Sequence, residues 1–226
     1  QRAEEIISLV EQTEGELADR ELGITGNIRI GAGETHAMQV VLGAFADVRR
    51  DYPGVTCELY TGNADAVEER LERGLLDFAL VIEPVNLEKY EWIRMPNANR
   101  VGLAVSADGP WGALEVATPA DVVKMPLLIS SRTSNKAVDL VSWSGGAFSF
   151  DELDVVGSFD LIGNASHLVR SGVACAMGID HLLQVDDASD LSLEIASFVI
   201  WKKYRLRSRA CEEFLRRLKL AVRKQL

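Results

Sequence analysis

The 226-residue chain has only three cysteines and six prolines, and it has no long apolar run. Cys57, Cys175 and Cys211 are widely spaced and form no Cys-x-x-Cys pair. That pattern argues against a disulfide framework or a zinc site and favours reduced thiols acting as small core hydrophobes in a cytoplasmic setting. No stretch approaches the roughly 20 apolar residues that cross a bilayer, so no membrane partner is expected. The chain opens on Gln1 and a charged helical pattern, without a basic segment followed by an apolar one, so no signal peptide is visible. An initiator methionine is also missing, which suggests a fragment.

What is present suits a folded protein of one large or two smaller domains, with 47% hydrophobic residues, 26% charged residues and a mean hydropathy of +0.04. The formal charge of −10 is unevenly spread. Residues 1–22 carry 2 basic and 7 acidic side chains, residues 201–226 carry 10 and 2, and the remainder carries 12 and 25. An acidic body does not favour a phosphate backbone. The basic end "WKKYRLRSRACEEFLRRLKLAVRK" could be a nucleic-acid patch. However, Ala210, Phe214, Leu218 and Ala221 fall on one helical face with Ser208 placed to cap it, so a docked amphipathic helix with a solvated basic face is the preferred reading.

Strand-like and helix-like patterns alternate along the chain. In residues 1–22, Ala3, Ile6, Val10, Thr13 and Leu17 make a 3-4-3-4 seam that needs a partner helix. A βαβαβ series follows: strand Asn27–Gly31, helix His36–Asp51, strand Val55–Tyr60, helix Ala64–Arg73 and strand Asp77–Ile82. This order predicts a parallel sheet with right-handed crossovers. An extended region from Tyr90 to Ser106 leads to a second α/β set. That set comprises helix Pro119–Lys124, strand Leu127–Ser130, helix Ser134–Ser144, strand Asp154–Ser158, helix Asn164–Ser171 and strand Val173–Met177. Leu193–Lys203 is extended again before the basic helix. Two extended segments separating two α/β sets suggest two subdomains with a ligand cleft between them.

Ligands of open α/β sheets gather at the carboxyl ends of strands. Those ends present Gly33–His36, Gly62–Asn63, Ser130–Ser134, Ser158–Asp160 and Gly178–His181. The stretch "IRIGAGETH" reads as a strand entering a Gly-x-Gly turn before a helix, which raises a dinucleotide site. The third glycine is replaced by His36, and Tyr60, Thr61 and Gly62 leave no acid at the end of the second strand, so that reading is weak. No P-loop motif occurs, and no Gly-x-Ser-x-Gly elbow. Ser142-Trp143-Ser144-Gly145 reads better as a helix end with a glycine cap. His36, His167 and His181 lack metal-ligand spacing. His167 reads as a structural mid-helix residue, whereas His36 and His181 lie at strand-to-helix junctions. Asp180 is a cap or a ligand contact, and Arg132, directly after a strand, is the best candidate to meet an anion. No nucleophile, metal cluster or acid-base pair points to an enzyme, and no cofactor is expected.

The run "GNIRIGAGETHAMQVVLGAFADVRRDYPGVTCELYTGNADAVEERLERGLLDFALVI" resembles the opening of the effector-binding domain of LysR-type transcriptional regulators. In that family a Gly-x-Ile-Arg-Ile-Gly type strand leads to a Ser/Thr-bearing turn, a helix ending in Phe…Tyr-Pro, a glycine turn and a Leu-x-x-Gly-x-Leu-Asp-x-Ala run. The matching positions are Gly26, Ile28, Arg29, Ile30, Gly31, Thr35, Phe45, Tyr52, Pro53, Val55, Gly62, Leu71, Gly74, Leu76, Asp77, Ala79 and Leu80. "LVRSGVACAM" and "VIWKKYRLRSRACEEFL" resemble later family segments, with Ala174 standing where the family has a second glycine.

The resemblance spans residues 24–220 and implies two Rossmann-like α/β subdomains of the type II periplasmic-binding-protein kind, joined by two crossover strands. Residues 24–97 and 201–226 would form subdomain I, 98–200 subdomain II, and 1–22 the end of a linker helix used for dimerisation. It further implies a small polar effector in the cleft, held by Thr35, Ser130, Ser131, Ser158, Phe159 and Asp160. His36, Asn63, Arg132 and Asp180 are added from their places at strand ends. Partners would be that effector and copies of the chain, as a homodimer or tetramer. DNA would be reached only through a winged helix-turn-helix absent from this chain. A periplasmic-type solute-binding protein is the alternative, but it would need a secretion route and has no use for an acidic heptad-like helix.

Overall fold

The computed structural model describes residues 23–131, 143–179, 182 and 187–225, giving the backbone alone over 187–193. The expected linker helix lies outside the described residues, as does nearly all of the expected helix Ser134–Ser144. In chain order the elements are β1 (Gly26–Ala32), α1 (Met38–Asp51), β2 (Val55–Thr61), α2 (Ala64–Glu72), β3 (Phe78–Ile82), β4 (Tyr90–Arg94) and β5 (Asn99–Val105). They continue with α3 (Pro119–Val122), β6 (Leu127–Ser130), β7 (Val155–Phe159), α4 (Ile162–Arg170), β8 (Cys175–Ile179), β9 (Asp187–Ile195), β10 (Ser197–Lys202) and α5 (Arg209–Arg223). The chain divides into two compact units. The first runs through Gly33 and takes in Ala37–Asn97 and everything from Ser197 on, and the second takes in Glu34–His36 and Ala98–Ala196.

The first unit is built on a sheet of order β2-β1-β3-β10-β4. β1 pairs in parallel with β2 and β3, as a βαβαβ series requires. β10 arrives antiparallel between β3 and β4, which makes the sheet mixed. The strand sequences explain the order. Phe78-Ala79-Leu80-Val81 is apolar and buried at every position, suiting a strand covered on both faces, whereas β2 alternates and exposes Leu59. Helix α1 buries Val41, Ala44 and Val48 at 3-4 spacing. Helix α5 buries Ala210, Phe214, Leu218 and Val222 on one face, and Ser208 accepts from the Cys211 N–H at its start. The amphipathic reading of the basic C-terminal segment therefore holds. The Phe78 ring is the centre of this core, with centroids 4.9 Å from Phe214 and 6.1 Å from Trp201.

Two family-matching residues of this unit form a charge lock. Arg29 donates from Nη2 to Asp77 Oδ1 at 2.9 Å and from its backbone N–H to Asp77 Oδ2 at 2.9 Å. Arg205 lies 3.5 Å from the same carboxylate and donates to the Leu76 carbonyl. Gly31 also finds its reason here, and the reason is not the ligand turn expected from Gly-x-Gly. It lies inside β1, and a Cβ there would stand 2.3 Å from Leu76 Cδ1 and 3.0 Å from Val67 Cγ1. The glycine makes room for α2 and the following loop to pack on the strand.

The second unit has a sheet of order β7-β6-β8-β5-β9, with β6 parallel to β7 and β8, and β5 antiparallel to β8 and β9. One face buries Val101, Leu103, Leu127, Ile129 and Met177, and the other buries Leu128 and Ala176 against Ile162, Ala165 and Val169 of α4. Gly178 serves this second packing, since a Cβ there would stand 2.3 Å from Ile162 Cδ1. His167 lies within α4 as expected, but on its exposed side. Gly145 adopts φ +65° just after the residue-143 turn, consistent with the glycine cap read from Ser142–Gly145. No helix among the described residues is long and apolar enough to cross a membrane.

Candidate functional site

Thr35 follows β1 and precedes α1, whose first position, Met38, comes two residues later than the sequence pattern suggests. Its hydroxyl is buried and donates to Asn99 Oδ1 at 2.6 Å, both residues belonging to the second unit. Asn99 in turn donates from Nδ2 to the Ile195 carbonyl at 3.2 Å, at a point where β5 and β9 pair. One amide thus ties the loop hydroxyl to the sheet. Burial leaves little water to compete, so the Thr35 oxygen is held in a fixed place.

The neighbouring Glu34 performs a second task. Its Oε2 accepts from the backbone N–H of Ile162 at 2.8 Å, the first residue of α4. The residue before it, Leu161, supplies no side-chain cap, and the first turn of α4 contains no acid. Helix starts leave N–H groups without intrahelical partners and favour negative charge. Glu34 supplies both an acceptor and that charge.

Two residues before the same helix, Asp160 accepts from the Ser131 hydroxyl at 2.5 Å. Ser130 and Phe159 stand opposite each other in the β6–β7 register, as do Ile129 and Ser158. The carboxyl ends of these parallel strands therefore gather Ser130, Ser131, Ser158, Phe159 and Asp160, and Glu34 attaches Thr35 to the loop beside them. Asn63 belongs to the first unit, where its Oδ1 accepts from Ala66 N–H at 2.9 Å and caps α2. His36 is exposed. Arg132, Asp180 and His181 lie outside the described residues.

Asn99 is the residue that sequence reasoning passes over. The available signal was an amide at the head of the otherwise apolar run Val101–Val105, where a buried polar group requires partners. Glu34 stands beside Thr35 in the sequence, but its tie to Ile162, 128 positions away, has no local trace.

The arrangement offers hydroxyls, an amide and carboxylates, and no activated nucleophile. Burial pushes the Cys175 thiol up to about 11, far from the thiolate form that attacks at neutral pH. Among the described residues no three His, Cys, Asp or Glu side chains gather to hold a metal ion. A cavity of about 530 Å³ in the first unit is lined by Tyr90, Glu91, Trp201, Lys203, Arg207 and Lys219 and contains none of the expected residues. Glu91 there already pairs with Arg207 at 3.4 Å and accepts from the Trp201 indole N–H.

Comparison with known proteins gives the chain a family. Among solved structures, the LysR family transcriptional regulator CbnR is 14% identical with a TM-score of 0.73, covering 98% of this chain and 78% of CbnR. The effector-binding domain of QuiR in complex with shikimate is 14% identical with a TM-score of 0.70, covering 88% of this chain and 98% of QuiR's domain. HinK, a LysR family transcriptional regulator from Pseudomonas aeruginosa, is 18% identical with a TM-score of 0.68, covering 98% and 78%. At these identities the likeness speaks for the fold. No curated protein matches the chain. The profile of the LysR substrate binding domain matches residues 22–223, so the chain belongs to that family, the effector-binding domain of LysR-type transcriptional regulators.

Proposed function

We propose that this domain senses a small polar effector in an inter-subdomain cleft and passes the result to DNA through a winged helix-turn-helix on the full regulator. The observation that supports it most is the buried Thr35–Asn99 hydrogen bond. It fixes the hydroxyl that the family resemblance assigns to the effector, in a loop that also reaches the Ser131–Asp160 strand ends. In this reading Thr35, Ser130, Ser131, Ser158, Phe159 and Asp160 contact the effector, with His36, Asn63, Arg132 and Asp180 around them. The domain works as a cytoplasmic homodimer or tetramer and carries out no catalysis.

The mechanism is a population shift. An effector changes the balance between two arrangements only by its differential affinity for them, and a shift from 1:99 to 99:1 needs about 5.5 kcal/mol of difference. The first test is thermal unfolding across a library of organic acids, amines, amino acids and aromatic metabolites. A ligand at about 100 Kd adds roughly 2.7 kcal/mol, several degrees for a domain of this size. The gain is expected to vanish in Thr35→Ala. A ligand that stabilises both proteins equally would remove Thr35 from the site.

A further inference from the structure

The cavity of about 530 Å³ in the first unit shares no residue with the effector reading, and its lining has a chemistry of its own. Its volume lies within the roughly 300–1,000 Å³ of small-molecule sites. Trp201 of β10 and Glu91 of β4 stand opposite each other in the sheet, and the indole N–H donates to the carboxylate, which fixes the ring as one wall. Leu215 of α5 adds an apolar side chain to the lining. Lys203 and Arg207, from the stretch after β10, and Lys219 of α5 bring three cations to the same lining, against the single carboxylate of Glu91.

The contacts those cations make leave them ready for an anion. Lys203 Nζ donates to the neutral backbone carbonyl of Glu88 at 2.6 Å, and Lys219 Nζ lies 5.9 Å from the centre of the Trp201 ring. Arg207 Nη1 reaches Glu91 at a long 3.4 Å, and the Arg207 Nε is buried and meets no acceptor among the described residues. A buried donor without an acceptor is a costly state, and a guanidinium presents its N–H groups as a fork that matches a carboxylate. A turn of the guanidinium away from its loose contact with Glu91 brings Nε and an Nη group to one oxyanion. We propose that this cavity is a second ligand site, within the first unit, for a small organic anion with a flat apolar body, in chemical class an aromatic carboxylate. Arg207 grips the carboxylate, Lys203 and Lys219 add positive charge, and the ring lies against Trp201 and Leu215. Glu91 repels an anion, but it is outnumbered and its oxygen is occupied by the indole.

The test needs a signal from the cavity itself, and the indole N–H groups supply one. The chain has four tryptophans, of which Trp111 and Trp143 belong to the second unit. Their nitrogen-15 NMR signals are assigned by Trp→Phe substitution one at a time, and the whole chain is titrated at constant ionic strength with benzoate, phthalate, benzamide and benzylamine, up to tens of millimolar. At least one of the two anions is expected to move the Trp201 signal along a saturating curve while Trp111 and Trp143 stay in place. Benzamide and benzylamine, which lack the charge or reverse it, should bind roughly tenfold more weakly or worse. Arg207→Gln and Lys219→Gln should each weaken the anion severalfold. Lys219 is exposed, so Lys219→Gln tests the charge even if Arg207→Gln lowers the stability of the fold.

The proposal is overturned if neither anion gives a saturating shift of Trp201, if benzamide or benzylamine shifts it as strongly, or if neither substitution lowers the affinity. A shift of Trp111 or Trp143 larger than that of Trp201 would also overturn it, because the anion would then be held in the other unit.

Discussion

Asn99 works through both ends of one amide, accepting from Thr35 and donating to Ile195. Asn99→Leu keeps the branching and the number of side-chain heavy atoms, at a larger volume, and removes both hydrogen bonds at once. Each stranded polar group costs about 1–3 kcal/mol, so urea unfolding should show a clear loss, and an unchanged midpoint would mean that water takes over both bonds. Gly31→Ala makes the opposite error by adding atoms. Its methyl group would press on the tip of Leu76, a side chain that can turn, and a cost of about 1–3 kcal/mol in the same assay is expected. Thr35 entered the sequence reading only through the family resemblance, which aligns it with a Ser/Thr-bearing turn. Asn99 was not legible, because its partner lies 64 positions away and no periodicity carries that distance. Gly31 was misread for a related reason: Gly-x-Gly looks the same whether a glycine admits a ligand or a neighbouring leucine.

At the scale of elements, the segments whose own sequence carries their caps and faces were the clearest. α5 has its apolar stripe, its Ser208 cap and a charge cluster on its outer side, in which Glu213 accepts from Arg216 and Arg217. Those bonds, from Arg216 first and Arg217 after it, hold the Glu213 carboxyl at about 2 against an ordinary 4.5, although burial pushes the other way. A carboxyl depressed in the fold lends stability that is present above pH 4.5 and is lost as pH falls toward 2. With both arginines partly in water the contribution is on the order of 1 kcal/mol. Acid unfolding of Glu213→Gln should therefore begin from a lower stability at pH 6 and converge with the unsubstituted chain near pH 2; parallel curves would deny the pair any role. α4 was harder to place, and its start fell two residues late in the sequence reading. The acceptor at its first N–H is Glu34, and a helix whose cap lies elsewhere in the chain has no local start signal.

At the scale of the whole molecule, each unit has its own buried cluster, and the alternation of strands and helices made both visible in advance. The antiparallel pairing of β10 was not visible, because alternation counts elements and is silent about which strand returns to which sheet. The Asp77 carboxylate joins Arg29 of β1 to Arg205 of the stretch after β10, so it links the two ends of the first unit. Asp77→Ala leaves two arginines without their shared partner, and a loss of about 3–5 kcal/mol in chemical unfolding is expected. A loss below 1 kcal/mol would show that the lock is ornamental.

β10 also imposes an order in time. Synthesis runs from the amino end, so β1, β2 and β3 leave the ribosome long before Ser197–Lys202, and the whole of Ala98–Ala196 is made in between. At about 5–20 residues per second that interval is on the order of 10 s. During it β3 has an open edge and Phe78 lacks Trp201 and Phe214, so the half-made first unit leaves apolar surface exposed until the later-made β10 and α5 close it.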